Sequence, residues 1–562
     1  MLFLAQAHAQ SAPLVTVDEG LRRQEERTRE QQKDLSPLAN DLQPARGGAT
    51  VPTLPDEHPC FVIDAIELQG PDAQRFRWLS ASAQVFAGQC IGAQGISRIA
   101  AYLDAQLMEQ GYVTSRVSIG AQNLSAGTLS LRLQVGRISL VRMVDAQSMQ
   151  PDTRWGSWIN AFATGAGQRL NARDIEQGVE QTKRLPSQSV TTTLAPGTDA
   201  DTSLLTIERQ TGDLKQRVRG GVTFDNSGSA TLGRVQFSVN VALDNPLGLN
   251  DIASISANGN VEDPNAAHRS QSASANYSIP WGYSTFSAVY SHSRFAQHVA
   301  LTTTQVLSRG ASDTADLKWE HVAWRTASTK SGLYADLSTR GARSFIDDSE
   351  LTAQRRQTTS IETGLTFKQL FANSASLDLA LAYKRGAPWI GAQDDLPLEA
   401  GVTLRPRLWT LNVNATLPFK QPVWGDWAAR SWQYSATLHG QVTPDAPTSS
   451  DQIGIGSRGT VRGFDGSAVL LAESGWFQRN ELSTPLPAFG VDLSGYVGVD
   501  LGRVWGPRDI NLRGHKLAGA ALGLRGKWQA LQFDVALAAP LVKPEGFKTQ
   551  RVSAYLSATC AF

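Results

Sequence analysis

From about residue 217 to residue 562 the chain alternates apolar with small or polar residues almost without interruption. A period of two builds extended strands with two unlike faces, and it constrains this chain more than any other feature. Val235, Phe237, Val239, Val241 and Leu243 alternate with Gln236, Ser238, Asn240 and Ala242. Trp409, Leu411, Val413, Ala415 and Leu417 alternate with Thr410, Asn412, Asn414 and Thr416, and Leu531, Phe533, Val535 and Leu537 with Gln532, Asp534, Ala536 and Ala538. In a soluble sandwich the apolar faces would meet in a core; in a membrane barrel they would face lipid around a polar lumen. The period is the same in both.

Three observations favour the barrel. The strand-rich block is about 346 residues long, large for a sandwich. Polar segments such as 259–270 and 342–358 separate the strands, and eleven of the fourteen tryptophans fall in the block, a modest enrichment that suits an aromatic girdle. Ala554, Leu556, Ala558, Cys560 and Phe562 then share one face of a terminal strand that ends on an aromatic. At roughly 20 residues per strand and connection, the block predicts about sixteen antiparallel strands over 212–562. No run of about 18 apolar residues argues for a transmembrane helix.

Upstream the pattern differs. Residues 1–9 read as the end of a signal peptide, with Ala7-His8-Ala9 as the cleavage site and no basic segment before it. Within 10–58, residues 16–35 predict a helix polar on all sides, which is either solvated or docked in polar surroundings, and four prolines mark 36–58 as a linker. Residues 59–137 and 138–211 predict two small α+β modules of similar order. In the first, 61–68 reads as a strand, Ile96, Ile99, Ala100, Leu103 and Leu107 follow helical spacing, and strands follow at 113–119 and 128–135. In the second, strands are expected at 138–144, 190–194 and 204–207, with a helix carrying Ile175 and Val179 behind the cap Asn171.

Cys60 and Cys90 lie in the first module. They can pair in an oxidising compartment or remain two buried thiols; no histidine stands at zinc-ligand spacing from either. Lys+Arg 52 against Asp+Glu 51 provides no field for nucleic acid. Gly454 to Gly459 matches G-x-G-x-x-G but lacks the following helix, and no P-loop or G-x-S-x-G occurs, so neither an enzyme nor a cofactor is expected.

One stretch stands apart. Residues 453–466 read I-G-I-G-S-R-G-T-V-R-G-F-D-G, a glycine-rich loop with one arginine, Arg462, in its Val461-Arg462-Gly463-Phe464 core. An exposed tip would leave Arg462 solvated; folded inward, it would meet an inward-facing acid. Tyr496, Gly498 and Asp500 share one strand face, where Gly498 leaves room for the loop and Asp500 supplies the acid.

Val461-Arg462-Gly463-Phe464 resembles the V-R-G-Y/F signature of the sixth extracellular loop in two-partner secretion transporters. Tyr496-Val-Gly-Val-Asp500 is similar to that family's F-x-G-x-D strand motif, with Tyr for Phe, and Asn245 to Asp251 and Tyr277 to Gly282 resemble its early-barrel segments. The resemblance spans nearly the whole chain. It implies a helix at 16–35 that plugs the pore at rest, two periplasmic polypeptide-transport-associated (POTRA) domains, and a sixteen-stranded outer-membrane barrel. It further implies ATP-independent export of a large partner exoprotein, whether adhesin, haemolysin or contact-dependent-inhibition toxin. The family pattern also implies a monomer in outer-membrane lipid, with Phe562 as the C-terminal signal for the barrel-assembly machinery, which periplasmic chaperones would serve during biogenesis. A barrel-assembly factor of the same superfamily and a passive porin are the rival expectations.

Overall fold

A computed structural model describes residues 42–44, 47–152, 156–229, 232–262, 264–265, 267–300, 305–395, 401–423, 426–487, 490–508 and 512–562. The helix expected at 16–35 lies outside the described residues.

The first module is a three-stranded sheet in which Ala65–Gln69 runs parallel to Thr128–Gln134, itself antiparallel to Arg116–Ile119. The helix Ala93–Glu109 covers it because Ile96, Ile99, Leu103 and Leu107 recur on one face and bury against Ile66, Leu129, Leu131 and Leu133. The linker carboxylate of Glu57 caps that helix by accepting from the backbone N–H groups of Gly92, Gln94 and Gly95 at 3.0, 2.9 and 2.7 Å. The single strand expected at 61–68 is two. Phe61–Ile63 pairs with Gln89–Ile91, whereas Ala65–Gln69 joins the main sheet, because Asp64 and Ala65 turn to donate to the Gly127 carbonyl.

The small pair places Cys60 beside Cys90, which are joined in a disulfide with Cα atoms 5.3 Å apart. It closes a sequence separation of 30 residues. Replacing both with alanine is expected to destabilise the first module by about 3 kcal/mol on the chain-entropy model. Denaturant titration with limited proteolysis of residues 59–137 in the full chain will measure this, and barrel heat-modifiability should not change.

The second module repeats the plan. Arg137–Asp145 runs parallel to Thr202–Thr211, Gln188–Pro196 lies antiparallel on its other side, and the helix Ala172–Lys183 packs Ile175 and Val179 against Ile138, Val141, Leu205 and Ile207. Asn171 caps this helix, its side chain accepting from the Arg173 N–H at 2.8 Å. A single turn, Leu214–Arg217, closed by an Asp213/Gln216 capping box, then feeds the barrel.

The barrel comprises sixteen long strands, each antiparallel to its neighbours, from Val218–Asp225 to Ser553–Ala561; a two-residue strand, Ser349–Glu350, extends one hairpin. Pairing of Ser557 with Asp225 through Ala561 with Gly221 closes it, and Phe562 exchanges backbone hydrogen bonds with Gly220. The faces divide by parity. Leu317, Leu365, Leu522 and Leu537 point outward and are 58–63% exposed to the surroundings, which rules out a sandwich core and leaves lipid as their solvent. The opposite parity carries Ser238, Ser254, Ser256, Ser272 and Ser274, all buried inside. Strands run into the segments expected as loops: Ile252–Asn260 and Arg269–Trp281 enter 259–270, and Thr329–Ile346 and Arg356–Leu370 enter 342–358.

Candidate functional site

The loop that follows the strand Asp426–Val442 pairs Ile453–Ile455 with Leu470–Ala472 in a short hairpin. Its base is tied to the wall by a Lys384–Asp451 ion pair of 2.6 Å. Between the two short strands the chain turns into the lumen. Val461 and Phe464 are fully buried in an apolar cluster with Ile455, Leu470, Val504, Leu517 and Phe547, the two phenylalanine rings meeting edge-on at 5.6 Å. Gly463 takes φ +108°, which lets the residues on either side point to opposite sides of the turn.

Burying Val461 and Phe464 carries Arg462 to the strand Asp492–Trp505. Its Nε and Nη2 donate to Asp500 Oδ2 and Oδ1 at 2.7 and 2.8 Å, a two-pronged pairing of guanidinium with carboxylate. The Arg462 backbone N–H donates to the same carboxylate at 2.9 Å. Nη1 reaches Glu481 Oε2 at 2.6 Å, and Nη2 the Asn480 carbonyl at 3.1 Å. Asp500 has no exposure and Arg462 only 4%. Gly498 faces the guanidinium so closely that a Cβ there would overlap it.

The structure thus brings together Arg462, Gly498 and Asp500, with Tyr496 in a second layer. The Tyr496 hydroxyl donates to Asp534 at 2.7 Å, and the Arg525 guanidinium lies 4.7 Å over its ring. Arg525 also bonds Asp534 and Glu481 at 3.0 and 3.1 Å, so charge alternates from Asp500 through Arg462, Glu481 and Arg525 to Asp534 across four neighbouring strands. Tyr555 on the last strand adds a fifth tie: its hydroxyl donates to the Phe464 carbonyl at 2.7 Å and accepts the Gly463 N–H at 3.0 Å. Glu481, Arg525, Asp534 and Tyr555 were not singled out in the sequence. Their signal is parity, since each is a lumen-facing residue among small ones. Cys560 has the opposite parity and is exposed to lipid.

A second constellation joins the second module to the barrel's periplasmic turns. Glu180, 6% exposed on the helix Ala172–Lys183, binds Arg325 and, at 2.5 Å, Lys330. Arg325 also donates to Gln177 at 2.9 Å. Gln181 donates to the Gly282 carbonyl, Asn160 to the Leu249 and Pro280 carbonyls, and Arg217 to the Asp244 and Asn245 carbonyls. The segments 245–251 and 277–282 are the seats of this contact.

A closed sixteen-strand barrel with an inward loop in its lumen, carried on two small α+β modules docked at one rim, defines a polypeptide-transporting outer-membrane barrel. The chain belongs to the haemolysin secretion/activation protein ShlB/FhaC/HecB family, whose model matches residues 201–526. An ShlB-type POTRA domain matches 61–136 and a POTRA domain matches 141–196. The chain is 36% identical over 531 residues to the outer membrane transporter CdiB-2 of Burkholderia pseudomallei, covering 91% of this chain and 88% of that one. To the haemolysin transporter protein ShlB of Serratia marcescens it is 27% identical over 488 residues, covering 86% and 83%. The solved structure of CdiB from Escherichia coli superposes with a TM-score of 0.82 at 25% identity, covering 99% of this chain and all of that one. The protein is an outer-membrane transporter of two-partner secretion, with its POTRA domains in the periplasm.

Proposed function

We propose that the chain exports a contact-dependent-inhibition toxin as its partner exoprotein, and that the Arg462 loop is the part of the pore that must yield to let it pass. The 36% identity to a CdiB transporter, against 27% to a haemolysin transporter, supports that cargo class. The observation that carries the mechanism is the loop itself: a segment held inside a closed barrel by ion pairs and hydrogen bonds, which can break and re-form as no covalent wall can.

In this reading the POTRA domains receive the exoprotein's N-terminal secretion domain by strand addition. Gln188–Pro196 is the edge of the second sheet that offers its backbone to such a segment, whereas the other edge, Arg137–Asp145, is partly covered by bonds to Gln150, Asp152, Gly167 and Gln168. The barrel then conducts an extended chain, whose folding outside draws it onward without ATP, and residues 16–35 fill the lumen between cycles. The transporter acts as a monomer and carries out no bond chemistry. Periplasmic chaperones and the barrel-assembly machinery insert it, with Phe562 as the recognised terminus.

The test is co-expression in a surrogate host with the exoprotein encoded beside this gene. The exoprotein should reach the cell surface only when the transporter is present. Retention in the periplasm with a folded transporter overturns the cargo assignment, and general loss of outer-membrane barrels on deletion in the native host overturns the export reading.

A further inference from the structure

The lumen and the periplasmic rim account for most of the charged clusters, but one basic group faces the other way. On the strands Arg269–Trp281, Ser284–Ala300, Gln305–Arg325 and Thr329–Ile346 the inward residues near the extracellular end are Ser270, Ser293, Phe295, Ser308, Ser312 and Ser344, all buried. The opposite parity therefore points outward, and it carries Arg269, Arg294, Arg309 and Arg343.

Strand register places the four arginines in two adjoining rows. Arg269 and Arg309 flank Ala296 from the neighbouring strands, and Arg294 and Arg343 flank Ala311 in the same way. Each pair spans two strand spacings, so its Cα atoms are about 10 Å apart. Methyl groups floor the space between them. The cations repel one another, Arg294 and Arg309 acting on Arg269, and carboxylates offset only two of the four: Asp348 pairs with Arg309, and Asp313 and Glu350 act on Arg343 from a distance. Asp313 is engaged one row lower by His292 at 2.9 Å, and Asp348 meets Arg309 at 2.8 Å. Among the described residues no carboxylate forms an ion pair with Arg269, Arg294 or Arg343.

Height identifies what these residues meet. The outward Trp281 and Phe286, 62% and 47% exposed, mark the periplasmic border of the apolar band, and Leu317 lies above them. His321 pairs with Ser284, which pairs with Trp281, so His321 stands in the border row. From there to Arg309 is twelve residues along one strand, which at about 3.3 Å per residue and a tilt of about 40° rises roughly 30 Å. A transmembrane barrel's apolar band is only about 25 Å tall. The arginines thus sit at or just above its outer edge, at the level of the outer leaflet's headgroups.

The outer leaflet of a bacterial outer membrane is built from a phosphorylated glycolipid with two phosphates on an acylated disaccharide. Guanidinium pairs are suited to phosphate by geometry and by their permanent charge. We infer that Arg269, Arg294, Arg309 and Arg343 form a docking surface on the barrel's outer wall for this glycolipid, each pair receiving one phosphate while the acyl chains lie along the apolar face below. The site fixes an annular lipid against the first half of the barrel, on strands separate from those that hold the inward loop.

The full-length protein, purified in detergent and stripped of lipid, should bind bisphosphorylated lipid A at least about tenfold more tightly than the same lipid without phosphates, as judged by native mass spectrometry titration. Arg269→Ala, Arg294→Ala, Arg309→Ala and Arg343→Ala combined should remove that preference, whereas Arg132→Ala on the first POTRA domain should leave it intact. Heat-modifiable mobility verifies folding; if the fourfold variant does not fold, Arg269→Ala with Arg309→Ala and Arg294→Ala with Arg343→Ala are read separately. Equal binding of the two lipids by the wild-type protein overturns the proposal without any variant. So does an unchanged preference in folded variants. Displacement of the lipid by equimolar inorganic phosphate would make this a free-anion site and overturn the lipid assignment.

Discussion

Replacing Arg462 with alanine is expected to abolish export while the barrel remains folded and inserted. Asp500 has no exposure, and its carboxylate accepts three hydrogen bonds from Arg462, two of them from the side chain. Removing the guanidinium leaves a buried carboxylate without its main counter-charge, a loss of about 3 to 5 kcal/mol at the site. Glu481 retains Arg525, and Asp500 keeps Arg479 at 3.8 Å and the Asn480 N–H at 3.3 Å. The strand network therefore survives, and the loss falls on the position of the loop. Exoprotein at the cell surface should drop by at least about tenfold, with heat-modifiable mobility retained. Arg462→Lys keeps the charge and loses the two-pronged geometry, so it should recover only part of the export. Asp500→Ala should be as defective as Arg462→Ala. The double variant discriminates between two roles. If the pair serves only stability, removing both partners restores thermal stability and export together; if export needs the loop held, thermal stability recovers and export does not. Wild-type secretion by Arg462→Ala would remove the clamp from the mechanism.

What could be read from the sequence and what could not divide along physical lines. Parity is local, so Asp500 could be assigned to the face of Gly498 and Tyr496, and the glycine beside it marked where a loop could approach. The partner of the apolar face is a long-range fact: Leu537 reads the same whether it meets lipid or a second sheet, and only closure of Ser553–Ala561 on Val218–Asp225 decides. Glu481, Arg525 and Asp534 look like single charges on three strands, and become one network only when those strands lie side by side. Arg77–Gln84 went unread because its cap, Phe76, makes no side-chain cap bond and eight residues give little period. Glu180 was missed for another reason. On its own helix it resembles any solvated glutamate, and it is buried because a turn about 145 residues later closes over it.

That burial makes Glu180→Ala the second large effect, on a different part of the machine. Glu180 lies between Arg325, whose side chain is 1% exposed, and Lys330, with no other carboxylate closer to Arg325 than Glu176 at 3.8 Å. Deleting it leaves two cations facing each other at a closed interface, with an expected loss of about 3 to 5 kcal/mol of docking free energy. What remains is Glu176 at 3.8 Å from Arg325, the Tyr283 hydroxyl donating to Asp174 at 2.6 Å, Arg184 donating to Ser278 at 2.8 Å, and the bonds from Gln181, Asn160 and Arg217 to backbone carbonyls, none of which pairs with Lys330. The second POTRA domain should then sample positions away from the rim, seen as a broadened distance distribution between spin labels on Ser189 and Thr326, and export should fall severalfold. Acid should mimic the substitution. Burial alone would raise the Glu180 carboxyl, but Lys330 and Arg325 outweigh it and hold the group below its ordinary value. Docking is therefore fully supported above the ordinary glutamate range and weakens as pH falls through the lowered value of the docked state, where the carboxylate gains its proton. Glu180→Ala should abolish that acid response while leaving the alternation of charge around Arg462 untouched. Narrow distances and full export in Glu180→Ala would show that the remaining bonds hold the domain without Glu180.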